Sequence, residues 1–348
     1  MNPLVMSILI LSLGLGTTIT FIGSHWLLIW MGLEINTMAI IPLMAHQQHP
    51  RAVEATTKYF LTQATASALL LFAGTTNAWM TGQWFITEMM NPTSATLMTI
   101  ALALKIGLAP MHSWLPEVLQ GLNLTTGLIL STWQKLAPFA ILLQISPYLN
   151  PNLLMLMGTL SIIIGGWGGL NQTQLRKLLA YSSIAHLGWM IAILHYAPSL
   201  TLLNLTLYIT MTTTMFLLLN TLNSTKITTL ALSTTKNPPL TIISLLTLLS
   251  LGGLPPLTGF MPKWLILQEL AKQNLAIPAT IMALTALLSL FFYLRLCYTT
   301  ALTLPPNPAI NTTPWRTKPP QQNLTLALTA SLSILLLPLT PMLFSMTP

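Results

Sequence analysis

The sequence lacks almost all of the charge that a soluble protein uses. It contains no aspartate and five glutamates, and 5% of its 348 residues are charged, against about 25% in an ordinary soluble domain. Glycine-rich phosphate loops, dinucleotide fingerprints and haem-ligating pairs are missing too. The chain therefore has no sequence signature of a soluble enzyme or of a nucleotide-binding protein.

Cysteine is almost absent as well. The single Cys297 lies in an apolar run, so the chain cannot form an internal disulfide or build a cysteine-ligated iron–sulfur or zinc centre by itself. The net charge of +8 is scattered along the chain without a basic run, which argues against a nucleic-acid surface. We expect no cofactor and no metal site within this chain.

Long apolar runs are abundant. Hydrophobic residues make up 53% of the chain, and apolar runs of about 20 residues, the length that crosses a bilayer as a helix, recur throughout. A membrane β-barrel would instead show shorter segments that alternate apolar and polar residues. We predict an all-α polytopic membrane protein with about eleven transmembrane helices, at 3–22, 25–45, 57–80, 95–110, 124–145, 150–170, 175–195, 199–222, 239–257, 275–301 and 322–345.

Lysine and arginine are distributed unevenly among the predicted loops. The loops after spans one, three, five and seven contain none, and Lys272, after span nine, is an exception. Basic loops stay on the side of the membrane where the chain is synthesised, so we expect the N-terminus on that side and the C-terminus on the other. The loops after spans two, six, eight and ten contain Arg51, Arg176, Lys177, Lys226, Lys236, Arg316 and Lys318.

Two segments of the sequence match at an offset of 146 residues. Residues 107–117 read Gly-Leu-Ala-Pro-Met-His-Ser-Trp-Leu-Pro-Glu, and residues 253–263 read Gly-Leu-Pro-Pro-Leu-Thr-Gly-Phe-Met-Pro-Lys. Prolines interrupt helices, and an interruption at membrane depth lines a buried or watered cavity. We expect one membrane domain (1–348) with two inverted five-helix repeats, each with one Pro-broken helix. The parts are a first repeat at 1–147, an inverted second repeat at 148–302, a basic-side loop at 303–321 and a C-terminal transmembrane helix at 322–348.

Ionisable residues lie in or beside the apolar spans, where a charge at the bilayer centre costs roughly 2.5–3.5 kcal/mol. Such residues usually transfer ions or protons. The candidates are Glu34 in span two, Lys105 in span four, Lys135 near the middle of span five, Lys263 after the second interruption and His186 in span seven, with Glu117 and His112 as further possibilities.

The chemistry of these groups suits a proton relay. An apolar environment disfavours the charged form of a lysine, and a nearby carboxylate favours it again. A Glu34–Lys105 pair would thus retain the proton of Lys105 when closed and release it towards Lys135 when open. An imidazole such as His186 relays protons without large tuning, and buried water would fill the gaps. The alternative roles are structural: ion pairing for Glu34, helix capping for Glu117 and hydrogen bonding for His112 and His186.

The segments around these residues resemble the subunit 2 family of mitochondrial respiratory complex I, of the animal type, over essentially the whole chain. The resemblance implies an antiporter-like core subunit of the membrane arm of an NADH:ubiquinone oxidoreductase. It implies that Glu34 pairs with Lys105, that Lys135 connects onward and that Lys263 is the exit-side group. The segments are Trp30-Met-Gly-Leu-Glu34-Ile-Asn, 105–117, Trp133-Gln-Lys135, 179–188 and 252–264.

The resemblance also implies the surroundings of the chain. Relatives of bacterial length have three further N-terminal helices, whose lack would open a flank to accessory subunits. We expect the inner mitochondrial membrane, with the N-terminus and basic loops in the matrix and the C-terminus in the intermembrane space. Expected partners are membrane-arm neighbours resembling subunits 4L and 4, accessory subunits and lipids, without nucleic acid or a homo-oligomer. Flavin, iron–sulfur clusters and the quinone site are expected in other subunits.

Two other functions stay open on the sequence alone. A stand-alone cation/proton antiporter needs a cation site, but a chain without aspartate and with one mid-span glutamate offers few oxygen ligands for sodium. Sodium flux by the isolated chain in liposomes would favour that function. A non-pumping scaffold of the membrane arm would assemble and pump normally with neutral substitutions at Lys105 and Lys135.

Overall fold

The computed structural model describes residues 2–47, 49–88, 91–302 and 324–342. These residues form fifteen α-helices and no strand. The whole predicted loop at 303–321, with Arg316 and Lys318, lies outside the described residues. The helices are α1 Pro3–Ile22, α2 Trp26–Met44, α3 Pro50–Thr81, α4 Pro92–Ile106, α5 Trp114–Gly121, α6 Leu124–Ser131, α7 Trp133–Ile145, α8 Pro151–Gly169, α9 Leu175–Ile193, α10 Pro198–Thr221, α11 Ile227–Lys236, α12 Pro238–Gly252, α13 Phe260–Lys272, α14 Ala276–Ala301 and α15 Leu324–Leu335.

Six helical segments are long and apolar enough to cross a membrane. They are α1, α2, the combined segment Leu124–Tyr148, α8, α10 and α14, and the shorter apolar helices are α4, α12 and α15. Helices α3 and α9 occupy the third and seventh predicted spans and contain more polar residues. The described part of the chain therefore confirms a polytopic helical membrane protein.

Proline begins many of these helices, because its fixed φ suits the first helical turn and its missing N–H is not needed there. Asn2 caps α1 by accepting a hydrogen bond of 3.3 Å from the backbone nitrogen of Leu4. His49 caps α3 in the same way through its Nδ1, 3.3 Å from the backbone nitrogen of Arg51. The Pro-containing junctions of the sequence thus place the helix starts at the membrane boundaries.

The chain divides into two compact units, residues 1–161 and 162–348, and the division falls within α8. In the first unit, α2 packs against α1, α3, α6 and α7, and α4 packs against α3 and α7. In the second unit, α10 packs against α9, α12, α13 and α15, and α14 packs against α9 and α11 to α13. Each unit therefore has its own helical core.

Both predicted helix interruptions are present. Helix α4 ends before Gly107, which has a φ of 85°, and α5 begins at Trp114. Helix α12 ends before Gly253, with a φ of 80°, and α13 begins at Phe260. The left-handed conformation at both positions favours glycine and is a common way to end a helix.

A second feature is common to the two units. In the first unit, the loop before α2 forms a bridge to the loop after α3, at His25 and Phe85. In the second unit, the loop before α9 forms the same kind of bridge to the loop after α10, at Gln174 and Lys226. These are corresponding loops of the two sequence repeats, and the shared pairing supports an internal repeat.

The fifth predicted span is not one continuous helix. Helix α6 ends at Ser131, Thr132 has a φ of −114° and a ψ of −68°, and α7 begins at Trp133. Within α7, Pro138 cannot donate a hydrogen bond to the carbonyl of Gln134. Lys135 therefore lies near the middle of the segment Leu124–Tyr148, as expected, but in the first turn after its irregular residue.

Candidate functional site

The first unit encloses a small cavity into which two lysines project. Its volume is about 20 Å³, and its walls come from α2 to α7. Lys105, in the last turn of α4, and Lys135, in the first turn of α7, both line it. A cavity of this size has room for a water molecule. Two helix interruptions thus bring two of the predicted residues to one space.

Both lysines are buried. Lys105 is 7% exposed and Lys135 is 3% exposed. The Nζ atom of Lys105 has no hydrogen-bond partner in the protein. A buried charge without a partner is strongly disfavoured, so a purely structural role does not explain Lys105.

Neutral polar side chains complete the wall of this cavity. Gln63 Nε2 donates a hydrogen bond of 3.4 Å to the carbonyl oxygen of Lys105. None of these side chains was predicted, because the prediction rested on charge. For three of them the available signal was a position beside a predicted residue, two and three after Glu34 and one before Lys135, and for the two on α3 the sequence offered no signal. The wall residues in question are Asn36, Thr37, Tyr59, Gln63 and Gln134.

Glu34 lies on a different face of α2. It is half-buried and lines an open groove of about 390 Å³ between α1 and α2. Its Oε2 atom accepts a hydrogen bond of 3.1 Å from Thr37 Oγ1. The same hydroxyl donates to the carbonyl oxygen of Glu34 at 2.8 Å. Thr37 also lines the cavity of Lys105 and Lys135, so it lies between Glu34 and that cavity.

The expected Glu34–Lys105 ion pair is not formed in this structure. Within the described ranges, the ion pairs are Lys58–Glu54, Lys58–Glu117 and Lys272–Glu269. The reason is local, because Thr37 on the same helix holds the carboxylate of Glu34.

Lys263 lies in the first turn of α13, in the second unit, and bonds to the end of α12. Its Nζ donates hydrogen bonds of 2.8 Å to the carbonyl oxygen of Gly252 and 3.4 Å to that of Leu251. The last carbonyls of a helix lack intrahelical partners and form the negative end of its dipole. The end of α12 at the interruption thus supplies the carbonyl oxygens that bind the ammonium group of Lys263.

His186 is buried near the middle of α9, in the same unit. It is 6% exposed, and its ring centroid lies 5.7 Å from that of Tyr208 on α10. The hydroxyl of Tyr208 interacts with the side chain of Ser183, one turn before His186. The histidine therefore belongs to a buried row of side chains that can each donate and accept hydrogen bonds.

Glu117 and His112 do not line the cavity of Lys105 and Lys135. Glu117, in the first turn of α5, forms an ion pair of 2.7 Å with Lys58 of α3, which also binds Glu54 at 2.7 Å. The bond from Lys58 holds the pKa of Glu54 below its ordinary value. The triad links α5 to α3 at an exposed position. His112 lies between α4 and α5, with Nδ1 3.2 Å from the carbonyl oxygen of Pro110.

Metal ligands are sparse in the part of the chain that the structure describes. No group of three or more His, Cys, Asp or Glu residues there is arranged to hold a metal ion. The arrangement of the cavity instead offers amines, amides and hydroxyls, which exchange protons and bind water.

The chain is similar to known protein families over nearly its whole length. Residues 23–289 match the family described as NADH:quinone oxidoreductase/Mrp antiporter, transmembrane region. Residues 290–344 match the family described as the NADH dehydrogenase subunit 2 C-terminus.

Individual relatives agree with these matches. The protein named NADH-ubiquinone oxidoreductase chain 2 from Squalus acanthias is 75% identical over 347 residues, which are 100% of both chains. The protein of the same name from Salmo salar is 66% identical over 341 residues, or 98% of each chain.

Solved structures have the same fold. A chain of respiratory complex I from Thermus thermophilus with bound aureothin superposes with a TM-score of 0.87 and 29% identity, covering 99% of this chain and 80% of that chain. A chain of the Mrp complex from Dietzia superposes with a TM-score of 0.75 at 16% identity, covering 97% of this chain and 74% of that chain.

Proposed function

Because the chain belongs to the NADH:quinone oxidoreductase/Mrp antiporter family, we infer that it is a membrane subunit of respiratory complex I, the NADH:ubiquinone oxidoreductase. It functions in proton translocation, and electron transfer in other subunits supplies the energy. The observation that supports this most directly is the enclosed cavity that buried Lys105 and Lys135 share.

In the first unit, the two lysines exchange a proton through water. Two ammonium groups around one small cavity repel each other strongly where water is scarce, so one of them is charged at a time. A proton on Lys105 therefore disfavours a proton on Lys135, and the reverse. Water in the cavity passes the proton from one amine to the other.

Glu34 controls this exchange through Thr37. When the Glu34 carboxylate is ionised, it favours the charged form of Lys105. When the Glu34 carboxylate gains a proton or moves away, the charged form of Lys105 is no longer favoured. Lys105 then releases its proton towards Lys135. Thr37 links the two sites because its hydroxyl bonds to Glu34 and the residue lines the cavity.

In the second unit, His186 and Lys263 are the groups that accept and release protons. Lys263 receives a proton while it bonds to the last carbonyls of α12. It releases the proton when these bonds break, because a buried ammonium without them is unstable. His186 relays protons within the row of hydroxyl side chains that it contacts.

Thr37→Val is expected to weaken the coupling without harming assembly. Valine keeps the shape of threonine and removes the hydroxyl, so the carboxylate of Glu34 loses its hydrogen bond. The loss of one such bond corresponds to a change of up to about tenfold. The ratio of protons translocated to NADH oxidised, measured in proteoliposomes, checks this.

The matched control for this experiment is Thr18→Val, since Thr18 lies exposed on α1 and its hydroxyl bonds only within that helix. Equal proton-to-NADH ratios for Thr37→Val and Thr18→Val would show that Thr37 does not connect Glu34 with the cavity.

The proposed location is the inner mitochondrial membrane, which fits the animal relatives. The partners are the other membrane-arm subunits, with neighbours resembling subunits 4L and 4, together with accessory subunits and lipids. Flavin, iron–sulfur clusters and the quinone site belong to other subunits. The open groove at Glu34, with walls from α1 and α2 alone, fits contact with a neighbouring subunit or lipid.

The proposed orientation follows from the loop charges and from eleven crossings in two inverted repeats. A protease on the matrix side is expected to cut next to Arg51 and Arg176, at the starts of α3 and α9. A protease on the intermembrane side is expected to cut near Glu88 and to remove the C-terminus. Cleavage of both chain ends from one side would mean that the number of crossings is even and that the proposed topology is wrong.

A further inference from the structure

Asn36 is a buried asparagine, and neither the charge pattern of the sequence nor the packing of the helices explains its polar side chain. It lies on α2, is 2% exposed, and neither its Oδ1 nor its Nδ2 atom has a hydrogen-bond partner in the protein. Buried polar side chains are nearly always hydrogen-bonded. Leaving both ends of a carboxamide unpaired is therefore a cost that a ligand would remove.

The same cavity contains another unpaired polar atom. Asn36 and Lys105 both line the space of about 20 Å³, and Lys105 Nζ also has no partner in the protein. A water molecule both accepts and donates hydrogen bonds, so it can accept one from Lys105 and donate another to Asn36. A space of this size takes a water molecule when polar partners surround it.

The chemistry of the walls excludes the other small occupants. A metal or sodium ion is disfavoured because two lysines line the cavity, and Glu34 is not part of its wall. An apolar molecule would leave the carboxamide of Asn36 and the Nζ of Lys105 unpaired. Water is the ligand that fits both the size of the cavity and its donors and acceptors.

Asn36 is held from two directions, through its side chain and through its backbone. On one side is Gly16 of α1, where an added Cβ would lie 2.4 Å from Asn36 Oδ1 and 2.9 Å from the carbonyl oxygen of Gly32. On the other side, Gln134, which precedes Lys135, donates a hydrogen bond of 3.3 Å to the carbonyl oxygen of Asn36. Asn36 is thus held between α1 and the helix of Lys135.

We propose that Asn36 and Lys105 bind a water molecule in this cavity, and that Asn36 positions this water for proton transfer between Lys105 and Lys135. The proposal rests on the proposed function and names a positioning residue for it. Asn36 does not exchange protons itself, because its carboxamide has no group that titrates near neutral pH. Its effect is to hold the water that does.

The test uses Asn36→Leu in the assembled complex. Leucine has nearly the shape of asparagine without its polar atoms, so the water loses one partner. Proton translocation per NADH is expected to fall about tenfold, the factor that corresponds to one buried hydrogen bond. Asn36→Ser, which keeps a hydroxyl and leaves room for a second water, is expected to retain most of the activity.

The matched control is Asn77→Leu. Asn77 is a fully buried asparagine on α3 that does not line the cavity, so Asn77→Leu is expected to pump normally.

A high-resolution map of the wild-type complex is expected to show density within hydrogen-bond distance of Asn36 and Lys105. The map of an Asn36→Leu complex should lack this density.

The outcomes separate this proposal from the proposed function. Normal pumping by Asn36→Leu, together with loss of pumping by Lys105→Met, overturns the role of Asn36 and leaves the proposed function intact. Normal pumping by both variants overturns the proposed function. If Asn36→Leu fails to assemble, the wild-type map decides, since a map without density between Asn36 and Lys105 overturns the water site.

Discussion

Lys105→Met is expected to abolish coupled proton translocation in a complex that still assembles. Methionine keeps the apolar stem of lysine and removes the amine that exchanges protons. Loss of a proton-transfer group lowers rates by about a hundredfold or more. Assembly should survive, because Lys105 Nζ has no hydrogen-bond partner in the protein to lose. NADH-driven proton uptake by reconstituted complex measures the effect.

Two controls make this result specific. NADH oxidation by an artificial acceptor should stay normal, because the proposed function assigns the redox centres to other subunits. Lys177→Met removes a lysine that is only half-buried at the start of α9, and it should pump like the wild type. If the Lys105→Met complex also pumped normally, the chain would be a scaffold of the membrane arm and not a proton-translocating subunit.

The interruptions were predictable because proline and glycine act on the backbone locally. Each interruption has a glycine with positive φ where the first helix ends, at Gly107 and Gly253. Prolines beyond these glycines exclude a continuous helix. The sequence determines such features within a few residues, so they do not depend on which helices pack together.

The mutual positions of Glu34 and Lys105 were not predictable in the same way. In a soluble helix, the alternation of apolar and polar residues shows which face is buried. In a membrane helix, the lipid-facing and protein-facing sides are both apolar, so the sequence of α2 does not show that Glu34 and Asn36 face different spaces. The sequence therefore could not show that the carboxylate of Glu34 bonds to Thr37 and not to Lys105.

Two further features could not be predicted from the sequence: the helix interruption before Lys135 and the helix α11. Pro138 lies inside α7, and the irregular residue is Thr132, six positions earlier. The break thus depends on how α6 and α7 pack as well as on the proline. Helix α11 lies in what was predicted as a loop, because its ten residues are too few for a span and too polar to suggest one.

Gly259→Ala is expected to prevent the second interrupted helix from folding, and with it the assembly of the complex. An added Cβ would lie 1.8 Å from the carbonyl oxygen of Ser250 and 2.9 Å from its carbonyl carbon. These are backbone atoms of the last turn of α12, so they cannot move aside as a flexible side chain does. Displacing them would also move the carbonyls of Leu251 and Gly252, to which Lys263 bonds.

The cause of this loss is steric, since Gly259 has a φ of −68° that alanine adopts without strain. We expect a destabilisation of at least about 3 kcal/mol, the upper end for overpacking, measured as the amount of assembled complex on a native gel. Gly252→Ala is the matched control within the same interruption, because its Cβ would meet only Tyr293, at 3.5 Å. Normal assembly of Gly259→Ala would show that α13 can move away from α12. The hydrogen bonds between Lys263 and the last carbonyls of α12 could then form at more than one helix position. Lys263 could release its proton without breaking a rigid contact.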